Sequence, residues 1–173
     1  MSCDYLKKYI RDISDFPKEG ILFKDITPLL KDKKAFNETI DQMARRFDRV
    51  DVDYVVGIES RGFIFGAALA RQLGVGFIPI RKQGKLPSTT ADITYQLEYG
   101  EDTLEIHEDA LDEGERVLVV DDVLATGGTV EAVVSLLQGQ KVDIISLVFL
   151  MELSFLKGRS KLLGTRIETL LTY

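Results

Sequence analysis

The sequence predicts an α/β fold in which helices flank a parallel β-sheet. Largely apolar runs of strand length occur at residues 54–58, 75–80, 117–122 and 142–150. Stretches with apolar residues at the helical period separate several of these runs. Strands buried on both faces read as nearly uninterrupted apolar segments, and helices between them supply the crossover connections of a parallel sheet. The alternation therefore indicates one sheet covered by helices.

Three helices follow from apolar spacing and from their end signals. Residues 33–47 have apolar side chains at the helical period, and Asp32 is well placed to cap the first turn. The Ala-rich residues 63–73 predict a second helix that ends before Gly74, where a glycine commonly terminates a helix. Residues 130–137 predict a third. Each of these helices follows or precedes a predicted strand, as the α/β pattern requires.

The N-terminal region has a different character. Leu6, Ile10 and Ile13 have helical spacing and predict a short leading helix. Residues 14–30, SDFPKEGILFKDITPLL, alternate turn residues with short apolar runs and predict a loop that contains a strand fragment. We interpret residues 1–32 as a small flap on the main domain.

A single domain is expected for all 173 residues, because this length suits one hydrophobic core and no linker divides the chain. The polar and turn-rich residues 81–114 interrupt the strand and helix alternation. Their length suits a functional loop, and we expect an excursion that includes a flexible lid.

Composition excludes several classes of protein. The chain has 22 Lys and Arg against 28 Asp and Glu, for a net charge of −6, and it lacks the basic runs that bind nucleic acid. No segment approaches the ~20 consecutive apolar residues of a membrane span. Cys3 is the only cysteine, so an internal disulfide is impossible. We expect a cytoplasmic protein that binds neither nucleic acid nor membrane.

Two carboxylates and a glycine-rich loop mark the end of one predicted strand. Asp121 and Asp122 close the strand, and residues 125–129, ATGGT, lead into the next helix. Ligands of parallel α/β sheets bind at this edge. Backbone N–H groups of the loop and the positive end of the helix can hold a phosphate. The alternative is an ordinary strand-to-helix turn that binds nothing.

The loop matches neither of the common nucleotide motifs. It lacks the spacing and the lysine of a Walker loop, and Pro79 occupies the third glycine position of a dinucleotide fingerprint near Gly74. Carboxylates that touched a phosphate would repel it, so Asp121 and Asp122 are better suited to accept hydrogen bonds from sugar hydroxyls. A phosphoacceptor or a magnesium nuclease could also use two acids, but neither explains the loop. The pattern favours a phosphorylated sugar as ligand.

This strand, acid pair and loop resemble the 5-phosphoribosyl-1-pyrophosphate (PRPP) site of the type I phosphoribosyltransferases. Further segments resemble, in order, those members of the family that act on adenine: FPKEGILFKDITPLLKD, GIESRGFIFGAALA, IPIRKQGKLP, LEYGEDTLEIHEDAL and FLKGRSKL. The resemblance covers nearly the whole chain. It implies transfer of the phosphoribosyl group from PRPP to adenine, which yields AMP and pyrophosphate.

The resemblance also implies roles for individual residues. PRPP would be held through its ribose and 5′-phosphate by Asp121, Asp122, Ala125, Thr126, Gly127, Gly128 and Thr129. Pyrophosphate would be held by Glu59, Ser60, Arg61, Arg81, Lys82 and Lys85, with a cis peptide bond between Glu59 and Ser60. Adenine would be bound by Leu22, Phe23 and Lys24. The catalytic residues would be Arg61 on the leaving group, Glu98 exchanging a proton with the base, and Tyr99 closing over the site.

Further expectations concern the cofactor, the assembly and the remaining histidine. Mg²⁺ would be bound through the substrate's own oxygens, and a homodimer is implied because some of the basic residues reach a neighbouring subunit in this family. Lys24 departs from the arginine that many members carry, which removes any contact made by a guanidinium plane. His107 is interpreted as structural, because it lacks the partners of a hydrolase or zinc site.

Two other functions remain open at this point. A transferase for hypoxanthine, guanine or xanthine would share the PRPP site and differ in the base-binding residues. A PRPP-sensing regulator would share the scaffold without turnover, although such a protein is expected to have a basic surface for nucleic acid.

Overall fold

The computed structural model of the protein describes residues 3–96 and 101–173. Its helices and strands alternate along the chain much as the sequence predicts. The α-helices are α1 (Thr27–Lys31), α2 (Lys33–Ala44), α3 (Gly62–Leu73) and α4 (Gly128–Gly139). The strands are β1 (Arg11–Ser14), β2 (Leu22–Asp25), β3 (Tyr54–Ile58), β4 (Gly76–Lys82), β5 (Thr90–Gln96), β6 (Glu101–His107), β7 (Arg116–Leu124), β8 (Asp143–Glu152) and β9 (Ile167–Thr172).

Within the described residues, seven strands form the main sheet in the order β5–β6–β4–β3–β7–β8–β9. The strand pairs β3–β4, β3–β7, β7–β8 and β8–β9 are parallel. The pairs β4–β6 and β5–β6 are antiparallel. The predicted α/β class is confirmed, and the parallel sheet carries an antiparallel edge that the sequence analysis did not predict.

That edge occupies much of residues 81–114, which the sequence analysis interpreted as a polar, turn-rich excursion without predicting strands in it. β5 and β6 pair along their whole lengths, from Thr90 opposite His107 to Gln96 opposite Glu101. Both strands contain several polar residues, Thr and Asp in β5 and Thr, Glu and Asp in β6, because one side of an edge hairpin is exposed to water and needs no continuous apolar run. Because of this polar composition, the sequence analysis did not predict the two strands.

The N-terminal prediction is partly wrong. Leu6 lies in a 3₁₀ helix, Asp4–Tyr9, but Ile13 lies in β1. β1 and β2 form a separate antiparallel hairpin in which Ile13 faces Phe23 across the ladder. The side chain of Arg11 donates to Asp25 at 2.6 Å and joins the ends of the two strands. Long-range pairing with β2 therefore overrides the helical spacing of residue 13.

The alternation of side chains along the central strands divides the core into two layers. Val55 and Leu118 pack with α2 and α3 on one face of the sheet, together with the buried rings of Phe47 and Phe65. Val56, Val119 and Phe149 pack with α4 on the other face. Because successive side chains of a strand point to opposite faces, one apolar run supplies both layers. None of the helices in the described ranges is long and apolar enough to cross a membrane.

A close backbone contact shapes the edge of the sheet where the predicted ligand residues lie. β3 ends at Ile58, and α3 begins at Gly62. A Cβ at Gly62 would lie 2.6 Å from the carbonyl oxygen of Val120, so only glycine allows the start of α3 to approach β7 this closely. The loop after β3 is thereby held beside the acid pair of β7.

Candidate active site

A cavity of about 600 Å³ opens at the carboxyl ends of β3 and β7. It brings together most of the residues predicted to bind PRPP and pyrophosphate: Glu59, Ser60, Arg61, Lys82, Lys85, Asp121, Asp122, Ala125, Thr126, Gly127, Gly128 and Thr129. Arg81 and the predicted adenine residues Leu22, Phe23 and Lys24 are not part of its lining. Glu98 and Tyr99 lie outside the described residues.

The acid pair lies within β7 and is largely withdrawn from water. Only 3% of Asp122 is exposed, and Asp121 is partly buried beside the start of α3. The guanidinium Nε of Arg61 lies 3.1 Å from Oδ2 of Asp122, which is close enough for an ion pair. The angles do not make a hydrogen bond, so among the described residues this buried oxygen has no hydrogen-bond partner. A buried acceptor of this kind is suited to a ligand hydroxyl.

Burial perturbs both carboxyl groups. Burial raises the pKa of Asp121 well above its ordinary value, and the negative charge of Asp122 raises it further. Burial also raises the pKa of Asp122, against the opposing effect of the Arg61 charge. When both carboxylates are ionised, their negative charges repel each other, because they lie close together and are shielded from water. Titratable groups perturbed by burial and by a specific neighbour, in a cleft, are typical of functional sites.

The loop after β7 has the form of an anion cradle. Gly127 has φ +82°, which favours glycine, and α4 begins at the next residue. A Cβ on Gly127 would lie 2.7 Å from the carbonyl oxygen of Gly158, and a Cβ on Gly158 would overlap the carbonyl oxygen of Ala125. Two glycines from distant parts of the chain therefore pack against each other and fix the loop. Its backbone N–H groups and the N-terminus of α4 are available to a phosphate.

Basic residues surround the cavity opposite the acid pair, and Glu59 organises them. Its carboxylate accepts a hydrogen bond from the backbone N–H of Lys82 at 2.9 Å, lies 3.3 Å from Nε of Arg81, and pairs with Nζ of Lys85. Burial alone would raise the pKa of Glu59, but these hydrogen bonds and charges outweigh burial and lower it. The Glu59–Ser60 peptide bond is cis, as expected from the sequence.

The predicted base-binding strand reaches the cavity through one contact. The guanidinium of Arg61 lies 5.3 Å from the ring centroid of Phe23, which is within cation–π range. Phe23 also packs edge-on against Phe16, with their centroids 5.0 Å apart. The ammonium of Lys24 is instead held by Asp12 at 2.7 Å. Arg61 therefore contacts both the acid pair and the base strand.

Sequence reasoning missed two polar residues of the cavity, Tyr95 and Asp102. They face each other across the β5–β6 ladder. Asp102 pairs with Lys82 at 2.9 Å, and the Tyr95 hydroxyl lies 3.3 Å from that of Thr129 in the cradle. The alternation of Ala91, Ile93 and Tyr95 was the available signal, because it has the period of a strand.

The single histidine lies apart from this cavity. His107 ends β6 opposite Thr90 and is half-buried, away from the cavity lining. Among residues 3–96 and 101–173, no three His, Cys, Asp or Glu side chains are grouped in a way that could hold a metal ion.

Comparison with known proteins extends these observations to the whole chain. The family model of the phosphoribosyl transferase domain matches residues 26–162. The adenine phosphoribosyltransferase of Halothermothrix orenii is 58% identical over 96% of this chain and 98% of its own length.

Solved structures agree with the sequence comparison. The adenine phosphoribosyltransferase of Thermoanaerobacter pseudethanolicus superposes with a TM-score of 0.95 at 52% identity, over 98% of this chain and 99% of that one. The Saccharomyces cerevisiae enzyme has a TM-score of 0.91 at 44% identity, over 96% and 97% of the two chains. The predicted family and activity are thereby confirmed: the chain belongs to the adenine phosphoribosyltransferases, enzymes of purine salvage that transfer the phosphoribosyl group of PRPP to adenine and release pyrophosphate.

Proposed function

We propose that this reaction takes place in the cavity between the loop after β3 and the loop after β7. The observation that carries the proposal is the buried Oδ2 of Asp122, which lacks a hydrogen-bond partner within the described residues. Asp122 lines the same cavity as the cradle at residues 125–129. A ligand with hydroxyls next to a phosphate would satisfy both features. The phosphoribosyl group of PRPP has this chemistry.

Asp121 and Asp122 would accept hydrogen bonds from the ribose 2′- and 3′-hydroxyls. Hydrogen bonds to a carboxylate are roughly twice as strong as neutral ones, and a dry cavity strengthens them further. The 5′-phosphate would lie in the cradle, on the backbone N–H groups of residues 125–129 and the hydroxyls of Thr126 and Thr129. The cradle holds no lysine or arginine of its own, so the α4 N-terminus would supply much of the positive potential.

The pyrophosphate would bind between Arg61 and the basic residues at the end of β4 and just beyond it. The reaction breaks a C–O bond at the sugar's anomeric carbon, through a transition state with oxocarbenium character. Negative charge grows on the leaving pyrophosphate at that moment, and Arg61, Lys82 and Lys85 line the cavity where it would develop. Preorganised cations that compensate this charge lower the barrier. Ser60 would contribute through its backbone.

Mg²⁺ fits this site as a companion of the substrate. The acids that could hold it directly are the pair Asp121 and Asp122, which we assign to the ribose. Mg²⁺ retains several waters and is commonly bound through substrate phosphates, where it adds further charge compensation for the leaving group.

Adenine would bind at β2, with backbone groups of Leu22 and Lys24 on its edge and Phe23 on its face. The S. cerevisiae enzyme was crystallised with adenine together with D-2,5-dideoxy-2,5-imino-altritol 1,6-bisphosphate. That complex supports a site that holds a base beside a bisphosphorylated sugar analogue. Glu98 would exchange a proton with N7 of the base, and Tyr99 would close over the site.

We also propose a cytoplasmic homodimer. Arg81 is the one predicted pyrophosphate residue that does not line the cavity of its own chain, which supports a role in a neighbouring subunit. A light-scattering mass near twice the 19.4 kDa of one chain would be expected. The buried thiol of the single cysteine, Cys3, suits a reducing compartment.

One assay tests the proposed base preference. The protein is incubated with PRPP and Mg²⁺ against adenine, hypoxanthine, guanine and xanthine, and nucleotide and pyrophosphate are measured. We expect AMP and pyrophosphate in equal amounts with adenine. Turnover of the other bases should be at least ~100-fold lower, because their hydrogen-bond donors and acceptors do not match the same backbone groups. Turnover of another purine at a similar rate would contradict the base assignment. No product with any base would favour a PRPP-sensing regulator.

A further inference from the structure

The side chain of Lys24 is committed to contacts away from the cavity. Its ammonium lies 2.7 Å from Oδ1 of Asp12 on the paired strand β1. The same ammonium lies 4.0 Å from the ring centroid of Tyr173. Only 10% of the lysine side chain is exposed, although a lysine is rarely buried without partners. Its two partners, a carboxylate and an aromatic face, are therefore what permits this burial.

Tyr173 belongs to the main sheet, not to the hairpin that carries Lys24. It directly follows β9, and its backbone N–H donates to the carbonyl of Glu152 at 2.9 Å. Its own carbonyl accepts from the backbone N–H of Ser154 at 2.9 Å and from the Ser154 hydroxyl at 2.6 Å. The backbone of Tyr173 is thus fixed by one hydrogen bond to the last residue of β8 and by two to Ser154, which follows that strand. Its half-buried ring extends from a rigid base.

The β1–β2 hairpin needs such a connection. It forms a two-stranded sheet apart from the main sheet, and an isolated hairpin is only marginally stable in water. Asp12 lies on β1 within the hairpin, and 51% of its side chain is exposed, so its ion pair with Lys24 is screened and does not join the hairpin to anything else. Of the two partners of Lys24, the Tyr173 ring is the one that lies outside the hairpin, and it adds to the contact of Arg61 with Phe23.

We propose that Tyr173 is a positioning residue for base recognition: its aromatic face holds the Lys24 ammonium and thereby fixes β2 against the main sheet. The inference depends on the proposed role of Leu22, Phe23 and Lys24 in binding adenine. In this arrangement the lysine contributes to the base site through its backbone, and its side chain serves as the tether.

The surroundings of Tyr173 keep its ring suited to this role. Burial, and then the negative charges of Asp12 and Asp4, raise the pKa of its phenol. The ring therefore stays neutral through the physiological range. A second ammonium, that of Lys7, lies 5.2 Å from the ring centroid. Cations gather at the aromatic face, where the ring quadrupole attracts them.

The test replaces the ring and separates base binding from PRPP binding. Tyr173→Leu removes the aromatic face, while Tyr173→Phe keeps it and removes only the hydroxyl. We expect Tyr173→Leu to raise KM for adenine by about five- to tenfold and to change KM for PRPP by less than about twofold. Tyr173→Phe should retain the adenine KM of the unmodified enzyme. Tyr5→Leu is the matched control, because Tyr5 bonds to Glu38 at 2.9 Å and makes no contact with the hairpin's Lys24.

A second variant tests the lysine itself. Lys24→Met keeps the length of the side chain and the backbone while removing the charge. It should raise the adenine KM as Tyr173→Leu does, and the double variant should be no worse than either single one, because both remove the same contact. Thermal unfolding of each variant is recorded beforehand. If Tyr173→Leu does not fold, Lys24→Met with unchanged PRPP KM decides the question.

Two results would overturn the inference. One is an unchanged adenine KM in a folded and active Tyr173→Leu or Lys24→Met enzyme. The other is an equal rise of both KM values, which would indicate general loosening of the fold. Either result would leave the proposed reaction intact, whereas an unmodified protein that forms no AMP from adenine would overturn both proposals.

Discussion

Asp121 and Asp122 are neighbours in the chain but have different electrostatic partners. Asp122 faces the Arg61 guanidinium at 3.1 Å, whereas Asp121 accepts the backbone N–H of Asp122 at 2.8 Å. The charge of Asp122 is therefore partly compensated, and that of Asp121 is opposed by its neighbour. Because burial raises the pKa of both carboxyls, the folded protein holds protons here more tightly than the unfolded chain does.

Asp121→Asn should therefore stabilise the protein without ligand while damaging PRPP binding. A carboxyl whose pKa is raised by folding stabilises the folded protein at low pH, where it is protonated. This stabilisation is lost as the pH rises from the ordinary pKa of the carboxyl through its pKa in the folded state. We expect the variant to gain about 1 kcal/mol at pH 7 and to match the unmodified protein below about pH 4. Urea denaturation at several pH values measures this difference.

Calorimetry with PRPP provides the second measurement on the same variant. The affinity should fall by about tenfold or more, because a charged acceptor of the ribose hydroxyls is lost. Asp122→Asn is the comparison: it should stabilise less, since Arg61 already compensates its charge. Greater stability of the unmodified protein at pH 7 would contradict the assigned repulsion, and unchanged affinity would contradict the ribose role.

The proposed proton exchange at the base gives a second prediction at this scale. Glu98→Gln should lower kcat by ~100-fold or more and leave PRPP affinity unchanged, because an amide cannot exchange a proton with N7. Steady-state kinetics and calorimetry measure the two quantities. Full activity would remove Glu98 from the mechanism. Glu101→Gln, three residues along the chain, is a control for loss of charge in the same segment.

At the scale of elements, the cradle depends on a segment far along the chain. Gly158 begins a 3₁₀ helix, Gly158–Lys161, that packs directly under residues 125–129. The contact joins the FLKGRSKL segment to the ATGGT loop, although neither segment alone indicates the other. The cradle is held in place because the backbone of Ala125 and Gly127 packs directly against the backbone of Gly158. No space remains there for a methyl group on either glycine.

Gly158→Ala should therefore displace the cradle. The added methyl group would overlap the Ala125 carbonyl, and the rearrangement should cost about 1–3 kcal/mol of stability. Affinity for ribose 5-phosphate should fall by about tenfold, because the N–H groups no longer converge. Gly139→Ala, at the end of α4, is the matched control: a Cβ there meets nothing within 4 Å. Denaturation and calorimetry on both variants test this; equal behaviour of the two would contradict it.

At the scale of the whole molecule, the positions of individual charges matter more for the binding of an anion than the net charge does. The chain has a formal charge of −6 and yet we assign it a site for a polyanion. Arg61, Lys82 and Lys85 line the cavity, and each is paired with an acid: Arg61 with Asp122, Lys82 with Asp102 and Lys85 with Glu59. Glu59 in particular joins the loop after β3 to the segment after β4. Binding of a polyanion therefore depends on which charges face the cavity.

The proposed homodimer can be tested by complementation. Chains that carry Asp121→Asn with Asp122→Asn are co-expressed with chains that carry Arg81→Ala. If Arg81 serves the neighbouring subunit, each mixed dimer has one intact site, and about a quarter of the unmodified activity should return. Each parent alone should be nearly inactive. Activity of the mixture no higher than that of the parents would place Arg81 in its own subunit's site.

The sequence by itself determined the parts of this protein that depend on local patterns. Continuous apolar runs predicted β3, β7 and β8, since a strand buried on both faces can carry few polar groups. The acids and glycines at the end of β7 predicted a phosphorylated sugar as ligand, because carboxylates suited to sugar hydroxyls and a loop suited to a phosphate occur together in this short segment. The edge strands β5 and β9 and the hairpin partner β6 were missed, since they are polar on one side or too short to stand out.

Only the tertiary structure decided which distant residues meet. Glu59 pairs with the basic residues after β4, Gly158 packs under the cradle, and Tyr173 holds Lys24. Ile13 is a strand residue because it pairs with β2, against its helical spacing. Each of these contacts joins positions far apart in the chain. Their geometry depends on the order and twist of the strands between them, which no short window of sequence contains.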